Sequence, residues 1–258
     1  MKFKALLLIL VSSLFLLAAC DKSSGAMSEA QKVQIDQEIH AYLLAHPEIL
    51  IDMSKKLQDK MAKEQSQKSV AAVKANADKL FNNANSPTAG DHAGVVTMVE
   101  FFDYQCVHCA KMHPVTQQLM KANPNIKVIY KEFPIFGKAS EYAAAAALAA
   151  NKQGKYVAMR NALFNSGDIE GKMTEAKVDA IAKKVGLNVV QMKQDMKSAD
   201  VVVELKATRE LAQALGLQGT PAFVIVPTNF ANVSDEKITF IPGGAPLETL
   251  QEAVNKAK

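Results

Sequence analysis

Apolar residues recur with a helical period in the first part of the chain after residue 27. Between Ser28 and Phe81 they are spaced three or four positions apart, which places them in one narrow stripe along a helix. Pro47 suits the first turn of a helix and not its interior. We therefore expect one helix from Ser28 to about Ala45 and a second from Pro47 to about Phe81.

This helical region needs a partner surface. It carries eight acidic residues and eight lysines, and few apolar residues lie between Gln58 and Ser69. A narrow apolar stripe buries too little surface to hold such a helix in place alone. The partner is either the remainder of the chain or a second copy of it. The pattern favours the second copy, which predicts a homodimer through residues 28–81.

The remainder of the chain predicts an α/β fold. Residues 82–94 are rich in Asn, Ser, Pro and Gly and predict a linker and domain boundary. Beyond them, short apolar runs predict strands and longer periodic segments predict helices. The predicted strands are Val95–Phe102, Ile126–Phe133, Ala222–Val226 and Lys237–Ile241, and the predicted helices are Cys106–Ala122, four or five pieces between about residues 140 and 215, and Pro246–Ala257.

Residues 1–19 have the pattern of an export signal. Lys2 and Lys4 precede an apolar run that is short for a membrane helix. The run ends in Leu-Ala-Ala-Cys at residues 17–20, which resembles a bacterial lipobox, so Cys20 is the expected lipidation site, followed by a tether to residue 27. The alternative is ordinary cleavage nearby that leaves a free thiol. The pattern predicts a lipid anchor on the periplasmic face of a bacterial membrane, inner or outer.

Composition argues against one class of partner. With 49% hydrophobic and 22% charged residues, the chain is globular and long enough to bury a core. The formal net charge is +4, but Lys2 and Lys4 of the signal supply two of those charges. The mature chain is therefore nearly neutral, which argues against nucleic acid as a partner.

Two of the three cysteines lie in one motif, Cys106-Val107-His108-Cys109, between a predicted strand and a predicted helix. The start of a helix favours the thiolate form of Cys106, and His108 can add a positive charge or a hydrogen bond to its sulfur. A stabilised thiolate is a good leaving group. We therefore expect Cys106 to be the exposed, attacked sulfur and Cys109 to resolve the mixed disulfide.

Two other uses of this motif stay open. A zinc site would have to recruit His113 and His92, because the chain has no second cysteine pair. A structural disulfide would close a very short loop at the start of a helix and stabilise the fold little. Redox chemistry is favoured, with no bound metal.

These motifs together resemble a known family. Phe101-Phe102, the Cys-Val-His-Cys motif and Gly-Thr-Pro-Ala-Phe at residues 219–223 resemble the DsbA family of periplasmic thiol oxidoreductases over about residues 95–258. The resemblance implies a thioredoxin-like fold with an inserted helical domain, preceded here by the N-terminal helical arm. It also implies a disulfide donor or shuffler that needs no cofactor beyond the Cys106–Cys109 disulfide. A cis-proline loop at Thr220-Pro221 would face this pair and bind substrate.

The motifs depart from the family pattern at two residues. Val107 stands where the family usually has a proline between the cysteines, and Thr220 replaces the valine that is common before the cis-proline in oxidases. Threonine at this position resembles disulfide isomerases. The departures therefore predict isomerisation of wrong disulfides in addition to oxidation.

Glu100 lies six residues before Cys106, where the resemblance implies a buried acid beneath the cysteine pair. A buried carboxylate needs a partner or a raised pKa, and Lys131 is the expected partner. Such an acid can carry the proton when Cys109 attacks. The alternative is an acid at the end of a strand, exposed to water.

These expectations combine into one interpretation and one rival. The chain is expected to be a lipid-anchored periplasmic thiol-disulfide oxidoreductase that acts on exported cysteine-containing proteins. A membrane redox partner of the DsbB or DsbD type would recycle it. The rival is a non-catalytic surface lipoprotein or holdase with a structural disulfide. An acidic pKa of the Cys106 thiol distinguishes the two.

Overall fold

The computed structural model describes residues 27–258, which fall into two compact units divided between Met61 and Ala62. The predicted signal and Cys20 lie outside the described residues, so the lipid anchor stays a prediction. Within residues 27–258, no helix combines the length and the apolar character that crossing a membrane requires.

Of the two helices that the apolar stripe predicts, the smaller unit contains the first and the beginning of the second. Helix α1 spans Glu29–Ala45, and helix α2 starts directly after Pro47 and spans Glu48–Ala75. The hydroxyl of Ser28 accepts a hydrogen bond from the backbone N–H of Gln31, whose side chain accepts one from the N–H of Ser28. This capping box fixes the start of α1. All residues of α1 are exposed.

The end of the predicted helical arm belongs to the larger unit. Val70, Val73 and Leu80 are buried there in a core cluster with Val99 and Phe101. The division of the chain therefore falls at residue 61, and not in the predicted boundary at residues 82–94. The sequence did not predict this burial, because the three residues are surrounded by polar ones. Only one side of each helix packs on the larger unit, and the polar residues lie on the other side.

The predicted second helix is also interrupted at Asn76. The side-chain amide of Asn76 donates a hydrogen bond to the carbonyl of Ala72, and a short helix, α3, then spans Ala77–Phe81. An asparagine side chain that bonds to the nearby backbone competes with the regular helical pattern, which accounts for the break.

The larger unit is built on a five-stranded sheet in the order β1-β3-β2-β4-β5. Strands β2 and β3 are parallel, and the other three neighbouring pairs are antiparallel. The strands span Thr88–Gly90 (β1), Val96–Phe102 (β2), Ile126–Glu132 (β3), Ala222–Pro227 (β4) and Thr239–Ile241 (β5).

Strand β1 was not predicted, because it lies in the polar segment expected to be a linker. It pairs with β3, with Gly90 opposite Lys127. Gly90 has a φ of +78°, and a Cβ at this position would lie 2.2 Å from the carbonyl oxygen of Ile126. Only glycine allows this close approach. Gly90, which in the sequence indicated a linker, is therefore required for the pairing of an edge strand.

Helices cover both faces of the sheet. Alternate residues of β2 point to opposite faces, so Val96, Met98 and Phe102 join one core cluster while Val99 and Phe101 join the other. The helical insertion predicted between the second and third strands is present as five helices. Beyond α3, the helices are Val107–Ala122 (α4), Lys138–Lys152 (α5), Tyr156–Asn165 (α6), Glu175–Lys184 (α7), Val189–Asp195 (α8), Ala199–Ala214 (α9) and Leu247–Ala257 (α10).

Candidate active site

The cysteine motif lies where β2 gives way to α4, with Cys106 as the residue that caps the helix. The loop between them is held by the buried carboxylate of Asp103. This carboxylate accepts hydrogen bonds from the backbone N–H groups of Gln105, Ile135 and Phe136 and from the Ser140 hydroxyl, at distances of 2.7–3.1 Å. Because all these donors are satisfied by one carboxylate, the start of α4 has a fixed position.

Cys106 and Cys109 are free thiols with very different acidities. The pKa of Cys106 is lowered to about 5, chiefly because the Cys109 thiol donates a hydrogen bond to its sulfur. The side chain of Thr220 and the backbone N–H groups of Cys109 and His108 add to this effect, and partial burial opposes it. Burial raises the pKa of Cys109 far above that of a free thiol. At neutral pH the pair is therefore one thiolate and one thiol.

Two expectations about this motif need correction. Cys106 is 3% exposed and Cys109 is 0% exposed, so the sulfur expected to be exposed is largely covered, although it is the more accessible of the two. His108 supports the Cys106 thiolate through its backbone N–H. Its side chain is exposed, because its position on the first turn of α4 directs the imidazole to solvent.

The loop at Thr220-Pro221 lies against Cys106, and its peptide bond is cis as expected. The Cys106 sulfur is 3.4 Å from the carbonyl oxygen of Thr220. The side chain of Thr220 also lies close enough to the sulfur to lower the pKa of Cys106. Both the backbone carbonyl and the side chain of Thr220 therefore lie against the reactive sulfur.

Glu100 is buried, as one of the two alternatives predicts, but its partner is not Lys131. Its Oε2 is 2.7 Å from the Nη2 of Arg160. Glu100 is paired across the sheet with Tyr130, so the next residue, Lys131, points to the opposite face. Lys131 lies 3.6 Å from Glu204 there. Burial raises the pKa of Glu100, and the charge of Arg160 opposes this rise.

Arg160 is a site residue that sequence reasoning missed. It is completely buried on α6, and its guanidinium lies 4.3–5.0 Å from the ring centroids of Phe102, Tyr130 and Phe164. It joins three elements, because it bonds to Glu100 of β2 and to the Nδ1 of His113 on α4, the latter at 3.1 Å. One sequence pattern could have identified it. Arg160 lies four residues from Tyr156 and four from Phe164, so the arginine and the two aromatic residues share one helix face.

A second buried acid, Glu132, lies diagonally across the sheet from Glu100. The hydroxyls of Tyr104 and Tyr156 each donate a hydrogen bond of 2.7 Å to its Oε1. Burial raises the pKa of Glu132 to about 8, so its carboxyl is mostly protonated at neutral pH. The buried cluster then contains the Glu100–Arg160 pair and a second carboxyl, Glu132, whose charge burial disfavours.

The histidines proposed for a zinc site lie in separate environments. His113 stacks on Phe164, and burial, followed by the nearby charge of Arg160, lowers the pKa of His113 to about 4. The ring of His92 is 3.4 Å from the hydroxyl of Thr88. In the part of the chain that the structure describes, no group of three or more His, Cys, Asp or Glu side chains is placed to hold a metal ion.

A groove of about 530 Å³ opens beside the cysteine motif, and we call it the active-site groove. One wall belongs to α4, a second to the Thr220-Pro221 loop, and a third to the loop that follows β5. Its lining residues are His108, Lys111, Met112, Thr220, Pro221, Gly243, Gly244, Ala245 and Pro246. A polypeptide segment lying in this groove would be adjacent to Cys106.

Comparison with known proteins agrees with this geometry. The family profile described as DSBA-like thioredoxin domain matches residues 97–255, and that of the copper resistance protein ScsC N-terminal domain matches residues 31–64. The crystal structure of BcfH from Salmonella enterica Typhimurium is 33% identical, covers 88% of this chain and 96% of BcfH, and has a TM-score of 0.76. A thioredoxin-like oxidoreductase from Silicibacter pomeroyi DSS-3 is 41% identical, with coverage of 70% and 96% and a TM-score of 0.62.

Two curated relatives match over part of the chain. Thiol:disulfide interchange protein DsbA of Bordetella parapertussis is 25% identical over 156 residues, which are 60% of this chain and 74% of that protein. Na(+)/H(+) antiporter NhaA 1 of Salinispora arenicola is 24% identical over 138 residues, 53% of this chain, and the match spans only 21% of the antiporter. The DSBA-like profile covers more than half of this chain and includes the cysteine motif and the Thr220-Pro221 loop. The chain belongs to the DSBA-like thioredoxin domain family of thiol-disulfide oxidoreductases.

Proposed function

We propose that this protein donates disulfides to exported proteins and also isomerises wrong disulfides in them. The observation that carries the proposal is the pairing of an acidic thiol at Cys106 with a protonated thiol at Cys109, beside a groove open to a polypeptide. Support for the exported location comes from the sequence, through the predicted signal and the lipid anchor at Cys20.

Oxidation proceeds from the disulfide form of the pair. A substrate thiolate attacks the sulfur of Cys106, the Cys106–Cys109 bond breaks, and Cys109 leaves and takes up a proton. A second substrate thiolate then attacks the substrate sulfur of the mixed disulfide. Cys106 leaves as a thiolate, which its low pKa favours. The substrate has gained a disulfide, and the enzyme pair is reduced.

Isomerisation starts from the reduced pair. The Cys106 thiolate attacks a wrong substrate disulfide and forms a mixed disulfide, which releases one substrate thiolate. That thiolate, or another in the same substrate, then attacks to form a new disulfide and frees Cys106. If the substrate does not rearrange, Cys109 loses its proton and attacks Cys106, which releases the substrate reduced. We assign the acceptance of that proton to Glu100, a buried carboxyl on the face of β2 whose Met98 and Phe102 share a core cluster with Cys109.

Thr220 is the residue expected to balance the two activities. Thr220→Val removes a hydroxyl near the Cys106 sulfur and keeps the backbone carbonyl that faces it. We expect the ratio of isomerisation to oxidation to fall by about two- to tenfold, the range of one hydrogen bond. Refolding of scrambled and of reduced ribonuclease gives the two rates. Thr88→Val, on the edge strand, is the matched control and should leave the ratio unchanged. Equal effects of Thr220→Val on both rates would contradict the isomerase role.

The exposed stripe on α1 and α2 supports a proposal of self-association, in its simplest form the homodimer. Most of its apolar side chains before residue 62 are more than half exposed in the single chain, among them Ile39, Tyr42, Leu50, Met53 and Leu57. Helices that leave such side chains in water are stabilised when a second copy covers them. Two copies would bring two cysteine pairs to one substrate.

A lysine on this stripe should weaken the association. Leu57→Lys places a charge among the apolar residues and is expected to raise the dissociation constant by about tenfold or more. Sedimentation equilibrium of the soluble chain measures this constant and the number of copies. Asp59→Lys, two residues away on the opposite side of the helix, is the control and should change the constant little. A wild-type chain that sediments as a monomer at micromolar concentration would rule the proposal out.

We further propose that the mature chain works on the periplasmic face of a membrane, held by lipid on Cys20. A membrane protein of the DsbB type would reoxidise the pair for donation, and one of the DsbD type would keep it reduced for isomerisation. The acidic Cys106 supports either exchange, because a thiolate both leaves readily and attacks readily near neutral pH.

A further inference from the structure

The active-site groove is asymmetric in charge. Its two side chains that can be positively charged, His108 and Lys111, both lie on α4 and are exposed. The facing wall, residues 243–246, consists of glycine, alanine and proline and has no ionisable side chain. A Cβ on Gly244 would lie 3.6 Å from the Sδ of Met112, so Met112 packs on bare backbone there. No carboxylate lines the groove.

Lys111 forms no ion pair with the residues that the structure describes. Helix α4 contains no Asp or Glu between residues 107 and 122, so no partner exists three or four positions away on the helix. Across residues 27–258 no ion pair involves Lys111. An unpaired ammonium beside a groove is free to pair with a charge on the molecule that enters it.

Lys111 is also close enough to act on residues beside the reacting cysteine. It lies five residues after Cys106, which is about 7.5 Å along the helix axis. An extended substrate covers about 3.5 Å per residue. The lysine is therefore within reach of a substrate side chain two or three residues from the cysteine bonded to Cys106.

We propose that Lys111 is a specificity-determining residue, which favours substrate segments that carry an acidic side chain within a few residues of the reacting cysteine. This inference rests on the proposed function, because it assigns a substrate class to the same groove. Lys111 acts in the encounter and in the mixed disulfide, where the ion pair holds the substrate beside Cys106. It takes no part in the exchange of sulfur bonds.

The test compares two peptides in each of several variants of the full soluble chain. Both peptides have one cysteine and differ only in the residues two positions on either side of it, which are glutamate in one and lysine in the other. The oxidised protein is mixed with excess peptide, quenched with acid, and analysed by mass spectrometry for loss of the Cys106–Cys109 disulfide. The measured quantity is the glutamate-to-lysine rate ratio within each variant, so any change in the acidity of Cys106 cancels.

We expect Lys111→Gln to lower this ratio by about two- to fivefold, the range of an exposed ion pair, and Lys111→Glu to lower it further. Lys121→Gln and Lys121→Glu are matched controls on the exposed last turn of the same helix, outside the groove, and should keep the wild-type ratio. At about 1 M salt, where the Debye length is about 3 Å, the variants should converge.

Equal ratios in wild type, Lys111→Gln and Lys111→Glu would overturn the inference. An effect of the same size at Lys121 would overturn it as well, because it would show that only the general charge of the helix matters. Failure of the proposed function would look different. In that case neither peptide, nor dithiothreitol, would reduce the disulfide of the wild-type protein at an appreciable rate.

Discussion

Arg160→Met is expected to lower the free energy of unfolding by about 3–5 kcal/mol. The substitution keeps much of the volume of the side chain but leaves the carboxylate of Glu100 buried without its ion-pair partner. It also removes the cation that lies against Phe102, Tyr130 and Phe164. Urea unfolding of the reduced protein, followed by far-ultraviolet circular dichroism, measures the change.

The chain offers a matched control, because its only other arginine is Arg209. Arg209 is exposed and lies 3.4 Å from the exposed Glu141, so Arg209→Met should cost at most about 1 kcal/mol. The double variant Glu100→Gln with Arg160→Met removes both buried charges and should be more stable than Arg160→Met alone. If Arg160→Met costs no more than Arg209→Met, the buried pair does not have the role assigned to it.

Cys106 is expected to titrate with a midpoint near pH 5 in the reduced protein. A free cysteine has a pKa of about 8.5, so at pH 7 the thiolate fraction rises from about 3% to nearly complete ionisation. Thiolate absorbance against pH measures the midpoint, and Cys106→Ser should abolish the transition. A midpoint near 8.5 would favour the rival interpretation, in which the disulfide is only structural.

The lowered pKa also makes the stability of the reduced protein depend on pH. Above pH 5 the folded protein has lost the Cys106 proton, whereas the unfolded chain keeps it up to about pH 8.5. The unfolded state binds more protons in this interval, so the stability contributed by Cys106 grows as pH rises from about 5 to 8.5 and is lost as pH falls through 5. Urea unfolding at pH 5 and at pH 8 should show this difference in the wild type, and its Cys106 contribution should be missing in Cys106→Ser.

Local sequence patterns were sufficient for the elements that carry the site. The apolar runs placed β2, β3 and β4 within one residue of their observed ends, because buried strands are short segments in which apolar residues predominate. The cysteine motif and Thr220-Pro221 were identified from residue types alone. The two motifs are more than a hundred residues apart in the chain, and the fold brings them together. Only the family resemblance predicted that contact.

The errors arose where side-chain direction decides the partner. Lys131 was chosen for Glu100 because its charge is opposite, but a shift of one residue along a strand moves the side chain to the other face of the sheet. Arg160 was missed because the insertion that carries it lies sixty residues from Glu100 in the chain, and no local pattern relates the two. Strand β1 was missed because an edge strand with a required glycine has the composition of a linker.

The contact between Cys106 and the Thr220 carbonyl spans 114 residues of the chain. During synthesis the cysteine motif leaves the ribosome long before this loop, so helix α4 and its two thiols exist before the Thr220 side chain can act on Cys106. A nascent or truncated chain without this loop therefore lacks one of the contributions that lower the pKa of Cys106, although the hydrogen bond from the Cys109 thiol needs only α4. The full acidity of Cys106 is therefore reached only when strand β4 and the loop before it are in place, so an unfinished copy of this protein is a weaker participant in thiol exchange than the finished one.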